Sequence, residues 1–359
     1  MPLPRFISVN FAPPRYLTLP TAGIDVSAST IKLVMLKEGT HGIELSAVQE
    51  ARLPEGAFTS ADINDIGAVA KGISTLARSQ GASIANIALP ESRTYLFETD
   101  VAGATPAEWS IALEQHLDEY VPLPPSEVAY DFMQAGKKGD QTHLVAVGYA
   151  RRVIEQSLEA FDEAGIGIRA IESELFSIPR AILKPGDPST VLIIDIGRTT
   201  TKLIVVANCI PRYATTLDIG GQALTTAVQK HFGVTEEEAK RVKAERGLVA
   251  TDGNEEYLAA MLSTVSAIRE EIARRLDYWQ TRGVAGGGHE PVSRALIVGG
   301  NATVKGLPEY LAAGLKVPVD LGDVFTNFAS RDHWLPPIDY TESLAYATAI
   351  GLALRQYVS

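Results

Sequence analysis

The chain has very little cysteine: Cys209 is the only one among 359 residues. A single thiol excludes a disulfide framework, a zinc site built from cysteines and Cys-x-x-Cys redox chemistry, and it fits a reducing compartment. The sequence also lacks an apolar run of the roughly 20 residues that span a bilayer, and its N-terminus lacks the apolar block of a signal peptide. We therefore expect a cytoplasmic protein with no direct membrane span.

Basic residues are scarce relative to acidic ones. With 32 Lys and Arg against 43 Asp and Glu, the formal net charge is −11, and the sequence contains no run of Lys or Arg. A general affinity for nucleic acid is therefore not expected. The hydrophobic fraction of 46% and the charged fraction of 21% are ordinary for a globular protein, and the length predicts two or more domains.

The most informative feature present is one phrase written twice, at residues 24–33 and 194–203. Ile, Asp, Thr, Lys and Leu recur at the same places in both copies. In each copy an apolar run ends in Asp, a turn of small hydroxyl residues follows, and a second apolar run comes after it. This order predicts a β-hairpin, and two such hairpins predict two similar lobes that face one another.

Both predicted turns suit a phosphate chain. Their backbone N–H groups and hydroxyls are donors, and an adjacent Asp can hold a hydrated divalent cation. A lone Asp at such a place can be a simple turn residue, but the repeat favours a shared nucleotide and metal site. The candidate phosphate-binding residues are Asp25, Ser27, Ser29, Thr30 and Lys32 in the first copy and Asp195, Gly197, Thr199, Thr200 and Thr201 in the second. Asp25 and Asp195 are the candidate metal ligands, acting through water.

Three further segments are candidates for the same site. Gly299-Gly300-Asn301 follows an apolar strand, and glycines there would let a purine ring approach the backbone; an ordinary strand-to-helix turn is the alternative. A charged helix is predicted at 235–246. One of its lysines would lie over the nucleotide; the alternative is that the helix is only solvated surface. Glu172 and Glu174 stand between a strand and a helix, where either could order an attacking water or cap the helix.

The elements predicted along the chain divide it into four parts. They are a proline-rich arm (1–20), a first lobe (21–188) with an inserted strand–helix–strand–strand unit at about 94–149, a second lobe (189–340), and a C-terminal helix (341–359) that packs back on the first lobe. The arm either folds onto its own surface or docks onto a partner or a membrane surface. The helix of the inserted unit is predicted from 106 to 120, a flexible link at 286–288, and the last helix from 341 to 357.

These residues resemble the actin/Hsp70/sugar-kinase superfamily of ATPases. Residues 25–32 are similar to its first phosphate loop, 195–201 to its second, and 299–301 to its adenosine loop. Glu174 lies where relatives carry the catalytic glutamate, and Lys243 lies in a helix that resembles the one whose lysine borders adenosine. The fold that this resemblance implies is α/β, with two duplicated RNase H-like lobes.

Within that superfamily the chain most resembles the PilM family of type IV pilus assembly and, after it, FtsA. The likeness rests on residues 119–123 in the inserted unit, 160–168, 219–225 with Gly220 and Gly221, and 349–354. It implies a two-lobed actin-like ATPase fold in which the insertion is a 1C subdomain of the SHS2 type. It also adds Gly220 and Gly221 to the residues expected around the nucleotide.

The resemblance implies a nucleotide-binding scaffold. ATP or ADP with Mg²⁺ would lie between the lobes, and the cytoplasmic tail of a PilN-like inner-membrane protein would lie between the insertion and the first lobe. The protein would then be peripheral to the inner membrane, part of the pilus assembly machinery, and at most a slow ATPase. Two departures weaken the expected nucleotide contacts: Ser27 replaces a common glycine, and Lys240 stands where relatives place a ribose-binding Glu.

The superfamily leaves two other functions open. One is an FtsA-like filament protein of cell division, although the chain stops directly after its last core-type helix and shows no amphipathic membrane helix there. The other is a sugar or acetate kinase, although no extra acid–base pair is placed for such a substrate. Residues 9–15 also resemble the partner's tail, which would allow self-association through a neighbour's groove.

Overall fold

The computed structural model describes residues 20–59, 62–251, 253–286 and 290–358, with the side chains of all of these except 282–286. The arm, apart from Pro20, and residues 287 and 288 of the expected flexible link lie outside the described residues. The predicted hairpins at residues 24–36 and 191–206 are both present, with Asp25 opposite Lys32 in the first and Asp195 opposite Lys202 in the second.

The described elements alternate between strands and helices along most of the chain. The strands are β1 (Thr21–Val26), β2 (Thr30–Gly39), β3 (Gly42–Arg52), β4 (Phe58–Thr59), β5 (Asp62–Ile63), β6 (Ile84–Leu89), β7 (Tyr95–Val101), β8 (Val128–Lys138), β9 (Gln141–Ala150), β10 (Gly167–Ser173), β11 (Thr190–Ile196), β12 (Thr201–Ala207), β13 (Ile210–Leu217), β14 (Arg294–Val298) and β15 (Val319–Leu321). The helices are α1 (Ile66–Gln80), α2 (Pro106–Gln115), α3 (Leu117–Tyr120), α4 (Arg151–Glu163), α5 (Glu174–Ile182), α6 (Gly221–Phe232), α7 (Glu236–Arg246), α8 (Glu255–Gly286), α9 (Leu307–Leu315), α10 (Tyr340–Ser343) and α11 (Ala347–Leu354).

Two five-stranded sheets have the same central arrangement. The first has the order β10-β6-β1-β2-β3 and the second the order β13-β12-β11-β14-β15. In each, the first strand of the hairpin is antiparallel to its hairpin partner and parallel to a strand from later in the chain. The apolar run 191–194 of β11 is buried throughout, as expected for a central strand covered on both faces. Both Asp-ended strands are therefore interior strands of their sheets.

The inserted unit is a three-stranded antiparallel sheet, β7-β9-β8, with helices α2 and α3. Thr105 caps α2 through a capping box with Glu108. The prediction of one continuous helix over 106–120 is wrong, because the helix ends at Gln115 and restarts at Leu117. His116 between them has φ −122° and ψ 11°, outside the helical region, and its Nδ1 lies 2.8 Å from Glu119 Oε1.

The last helix is also broken, contrary to the prediction of one helix over 341–357. It consists of α10, a 3₁₀ turn at Leu344–Tyr346 and α11, which ends at Leu354. The break frees two carbonyl groups that a continuous helix would use internally. Leu344 O accepts from Gly299 N at 3.0 Å, and Ala345 O accepts from Lys32 Nζ at 2.7 Å. Both donors belong to segments predicted to bind nucleotide. The break in the helix therefore supplies two acceptors that hold these segments in place.

Helix α11 packs against α5 and against strands β1, β2 and β6. The backbones approach so closely that a Cβ on Gly351 would lie 1.8 Å from Ser177 O, and one on Gly23 would lie 2.1 Å from Ala349 O. The largest apolar cluster runs from the second sheet through α5 and α11 to Val34 and Leu36 of β2. This shared core fixes α5 relative to both sheets. Among the described residues, no helix has the length and apolar character needed to cross a membrane.

Candidate functional site

The two hairpin turns line one cleft with a volume of about 340 Å³. Each turn is closed in the same way: Ser27 N donates to Thr30 O, and Gly197 N donates to Thr200 O, both at 2.9 Å. Ser27 Oγ also donates to Thr30 O at 2.9 Å, so this hydroxyl is used within its own turn. The predicted site residues that line the cleft are Asp25, Ser27, Ser29, Thr30, Lys32, Glu174, Asp195, Gly197, Thr199, Thr200, Gly299, Gly300 and Asn301.

Lys202 is the charge centre of this cleft. Its Nζ lies 2.6 Å from Glu174 Oε2 and 3.5 Å from Asp195 Oδ2. Burial acts to lower the pKa of Lys202, but the carboxylates of Glu174, Asp195 and Asp25 outweigh burial and raise it above the ordinary lysine value. Lys202 therefore remains charged. Sequence reasoning did not select it, although the repeated phrase places it in register with Lys32, which was selected.

The two lysines of the repeat have different partners. Lys32 Nζ donates to Ala345 O and lies 5.5 Å from the centre of the Tyr346 ring, so the C-terminal segment holds it at one wall of the cleft. Burial raises the pKa of Asp25, while Lys32 and Lys202 act to lower it. Among the described residues, no group of three or more His, Cys, Asp or Glu side chains could hold a metal ion. A cation between Asp25 and Asp195 would therefore need ligands from water or phosphate as well.

A short linker lies beneath Glu174. The 3₁₀ turn Glu91–Arg93 connects β6 to the inserted unit, and Glu91 N donates to Glu174 Oε1 at 2.5 Å. The buried Glu91 carboxylate accepts from the hydroxyl of Thr216 on β13. Burial raises the pKa of Glu91 to about 7, although the bond from Thr216 acts to lower it. The linker joins the first sheet to the insertion, and the buried Glu91 carboxylate within it also contacts the second sheet. Glu91 was not among the residues selected from the sequence.

A second cavity of about 360 Å³ adjoins the cleft, and Gly300 and Asn301 line both cavities. Lys243 Nζ donates to Asn301 Oδ1 at 2.9 Å, to Thr225 Oγ1 at 3.1 Å and to Gly221 O at 3.2 Å. Asn301 Nδ2 in turn donates to Gly197 O at 2.9 Å. Burial lowers the pKa of Lys243 to about 8. The predicted adenosine segments are thereby tied to the second hairpin turn.

Three glycines of this region are required by close approach. A Cβ on Gly221 would lie 2.0 Å from the Asn301 side chain, and one on Gly220 would lie 2.7 Å from Thr200 N. Gly299 has φ +95°, and a Cβ there would lie 2.4 Å from Asp195 Oδ1. Side chains at these positions would displace the turns themselves.

Five candidate residues do not line the cleft, and one of them is Glu172, which pairs with Arg180 outside it. Thr201 is fully buried, and its hydroxyl donates to Ile219 O at 2.7 Å. Gly220 lies behind the second turn, against Thr200, whereas Gly221 and Lys243 line the adjoining cavity. Lys240, the residue at the expected ribose position, lines that cavity too, and its Nζ lies 2.6 Å from Glu236 Oε1.

A third cavity lies on the other side of α5, between the inserted sheet and β10. We call this 400 Å³ space the docking groove. Its lining residues are Leu89, Ala129, Tyr130, Asp131, Phe132, Met133, Val145, Val147, Tyr149, Ile154, Ile171, Glu172, Ser173, Phe176, Arg180 and Arg355. Most of these are apolar or aromatic. At one end Glu172 accepts a pair of bonds from Arg180, at 2.5 and 3.0 Å, and a further bond from Arg355.

Comparison with known proteins places the chain in a family. The family model described as type IV pilus assembly protein PilM matches residues 23–357. The chain belongs to the PilM family.

Solved structures of PilM and of other proteins share this fold. The "PilM-PilN type IV pilus biogenesis complex" contains a chain that is 21% identical, with a TM-score of 0.76 over 94% of this chain and 98% of that one. EutJ from Carboxydothermus hydrogenoformans is 14% identical, with a TM-score of 0.57 over 94% and 90%. MreB5 of Spiroplasma citri, bound to ADP, is 13% identical, with a TM-score of 0.54 over 92% and 95%. The likenesses confirm the predicted two-lobed actin-like fold.

Replacing Glu91 should change how stability depends on pH. Because the pKa of Glu91 is about 7 in the folded protein and near 4.5 when unfolded, the folded state binds more protons between these values. Its contribution to stability is therefore complete below about pH 4.5 and is lost as pH rises through 7. Relative to wild type, Glu91→Gln should gain up to about 3 kcal/mol of unfolding free energy between pH 4.5 and 8.

Urea denaturation of wild type and Glu91→Gln across this pH range measures the difference. Gln keeps an oxygen that accepts from Thr216, so the variant should fold. The exposed Glu237→Gln is the matched control and should parallel wild type. If the Glu91→Gln curve also runs parallel to wild type, Glu91 does not titrate as described.

Proposed function

We propose that this PilM-family chain is a nucleotide-gated scaffold of type IV pilus assembly. ATP or ADP with Mg²⁺ binds in the cleft between the sheets, and the cytoplasmic tail of a PilN-like inner-membrane protein binds in the docking groove. The observation that carries the proposal is the position of α5. Glu174 at its start lines the cleft, whereas Phe176 and Arg180 in the same helix line the docking groove.

The cleft suits a nucleotide phosphate chain. Two similarly closed turns present backbone N–H groups and hydroxyls from opposite sides, and Lys202 supplies a fixed positive charge. Asp25, Asp195 and Glu174 leave an excess of negative charge around that lysine, which a divalent cation would offset. Bound through water, Mg²⁺ would stabilise the charge of the phosphates. The MreB5 neighbours were solved with ADP and with AMPPNP.

The adenosine half would occupy the adjoining cavity. Gly300 and Asn301 lie at the opening shared by both cavities, so a nucleotide can pass from one to the other beside the second turn. Lys243 lines this cavity, and its ammonium group is oriented by hydrogen bonds to Asn301 and Thr225. Lys240 in place of an acid removes the expected acceptor for the ribose hydroxyls, which supports modest affinity.

The geometry of Glu174 supports slow hydrolysis at most. Water activation would require a free carboxylate oxygen facing the cleft. One oxygen of Glu174 is bound to Lys202 and the other to Glu91 N. Glu174 would have to exchange the Lys202 contact for a water before it could act. A scaffold that hydrolyses its nucleotide slowly, if at all, fits this arrangement.

The docking groove suits an extended apolar peptide. Of the strands that the structure describes, only β9 pairs with β8, so the other edge of β8 can accept backbone hydrogen bonds from an added strand. Phe132 and Met133 on β8, together with Phe176, provide apolar surface beside that edge. The PilM neighbour was solved as a complex with PilN. A membrane-anchored partner would hold this protein at the inner face of the inner membrane and within the assembly machinery.

A short path connects the two proposed sites. Pro90 and Ser92 line the cleft, and Glu91 N holds Glu174. Three residues after Glu91, the Thr94 hydroxyl bonds to Tyr149 in the docking groove and lies 3.2 Å from Ser173 Oγ. A nucleotide that shifts Glu174 or the second sheet therefore acts on the same five-residue linker that supports the groove floor. Two sites on one bistable element can be coupled.

Removing the charge of Asp195 should weaken the binding of ATP with Mg²⁺ by about tenfold or more, because one of the two carboxylates near the cation is lost. Calorimetry of Asp195→Asn against wild type measures this, with and without Mg²⁺. The exposed Asp162→Asn is the control and should bind like wild type. Equal affinity for wild type and Asp195→Asn, or no binding by wild type, would contradict the nucleotide site.

Placing a charge in the docking groove should prevent peptide binding. Met133 is 38% exposed on β8, so Met133→Asp should fold while its carboxylate faces the apolar floor. We expect at least a tenfold loss of affinity for a fluorescent peptide copied from the tail of the PilN-like protein of the same organism, measured by anisotropy. Ile111→Asp, at a 58% exposed position of the same inserted unit, is the matched control. Similar losses in both variants would place the peptide elsewhere.

A further inference from the structure

The described chain begins in the same sheet that contributes Ile171 and Glu172 to the docking groove. Thr21, the first residue of β1, has a hydroxyl that accepts from Arg169 Nη1 at 3.1 Å. The same nitrogen donates to Gln356 Oε1 at 3.3 Å. The neighbouring Arg355 lines the docking groove and donates to Glu172 at its end. The described chain is thus connected to the groove through Arg169, Gln356 and Arg355.

The length of residues 1–19 is ample for reaching into the groove. Thr21 lies level with Ile84 of β6 and Gly167 of β10, so Glu172 is five residues further along and two strands away, a distance of about 20 Å. Nineteen extended residues span about 60 Å. After crossing that gap with about six residues, the segment retains enough chain to run along the groove. A contact within one molecule is therefore sterically accessible.

The chemistry of residues 1–19 matches that of the groove. The segment, MPLPRFISVNFAPPRYLTL, alternates apolar and aromatic residues with prolines, and its only charged side chains are those of Arg5 and Arg15. Prolines favour extended backbone, the form that fits beside the β8 edge. The groove offers aromatic and aliphatic side chains and the exposed carboxylate of Asp131. The family match begins at residue 23, so this segment precedes the shared part of the chain.

We propose that residues 1–19 dock in the docking groove of their own chain and compete there with any partner peptide. Docking of residues 1–19 in the groove requires neither a bound nucleotide nor a PilN-like tail, and it holds for any partner peptide that uses the groove. A tethered segment acts at an effective concentration on the order of 1 mM. If its intrinsic dissociation constant is about 100 μM, occupancy in the same molecule weakens a competing peptide about tenfold.

The first test uses the full chain and a fluorescent peptide with the sequence of residues 1–19 as the probe. The triple substitution Phe6→Ser, Ile7→Ser and Phe11→Ser removes the apolar side chains that would hold the segment in place. The probe should bind this variant about tenfold more tightly than it binds wild type, and adding Met133→Asp should remove the binding.

The matched control carries three changes at polar positions of the same segment: Ser8→Ala, Asn10→Ser and Thr18→Ser. It should bind the probe as weakly as wild type does. Equal probe affinity for wild type, the control and the apolar triple variant would overturn the proposal. Failure of the probe to bind the apolar triple variant would overturn it as well. Because no partner tail is present, these outcomes are independent of the test of the proposed function.

The second test distinguishes one molecule from two. With Cys209→Ser as background, Phe11→Cys and Met133→Cys are combined and exposed to mild oxidation. A disulfide within a monomer, found by mass after proteolysis, is the expected result. Cross-linked dimers would show exchange between copies and overturn docking within one chain. Phe11→Cys with Leu335→Cys, at a 78% exposed position of the second lobe, is the control pair. Equal cross-linking in both pairs, or none in the first, would also contradict the proposal.

Discussion

The structure depends most on the contact between Lys202 and Glu174. A lysine that is largely withdrawn from water keeps its charge through close carboxylate partners, and Lys202, with 23% of its side chain exposed, has Glu174 at 2.6 Å and Asp195 at 3.5 Å. Lys202 belongs to the hairpin of the second sheet, whereas Glu174 begins the helix that follows β10 of the first. One ion pair therefore joins the two sheets at the floor of the cleft. A nucleotide phosphate there would compete for Lys202.

The position of α5 extends the influence of the Lys202–Glu174 contact to the docking groove. The helix lies in the core shared by both sheets, and α11 packs on it with no space for a side chain at Gly351. It cannot shift at one end without shifting at the other, because packed helices move as rigid units. Ser173 and Phe176 border the docking groove, while Glu174 borders the cleft. We regard this helix, together with the linker at residues 90–94, as the physical connection between the two proposed sites.

Much of the fold could be predicted from the sequence because its signals are local. The Asp-ended apolar runs and their hydroxyl turns predicted both hairpins, and the cap at Thr105 predicted the start of α2. The breaks at His116 and at Leu344–Tyr346 were missed: the first has only a local contact to Glu119, whereas the second depends on tertiary contacts. In the second case the freed carbonyls of Leu344 and Ala345 bind Gly299 and Lys32, which lie far away in the sequence. The three-residue strand β15 is too short to give a periodic signal.

The candidate site was predicted in outline for the same reason. Thirteen of its residues line one cleft: the repeat located nine of them in the two turns, and Glu174 with residues 299–301 came from other segments. The repeat could not show that Lys32 and Lys202, at equivalent places in its two copies, have different partners. Glu91 gave no signal at all: it follows Pro90 in a segment that resembles an ordinary turn. Its role comes from burial and from Thr216, which is 125 residues away.

We propose above that the cleft and the docking groove are coupled through α5. The most direct measurement is the affinity of the partner's tail peptide for the full chain, titrated with and without saturating ATP and Mg²⁺, together with the reverse titration. Coupling of the usual size changes each affinity by about 5- to 150-fold, and by the same factor in both directions. A peptide affinity that is the same with and without nucleotide, while both ligands bind, would contradict the claim.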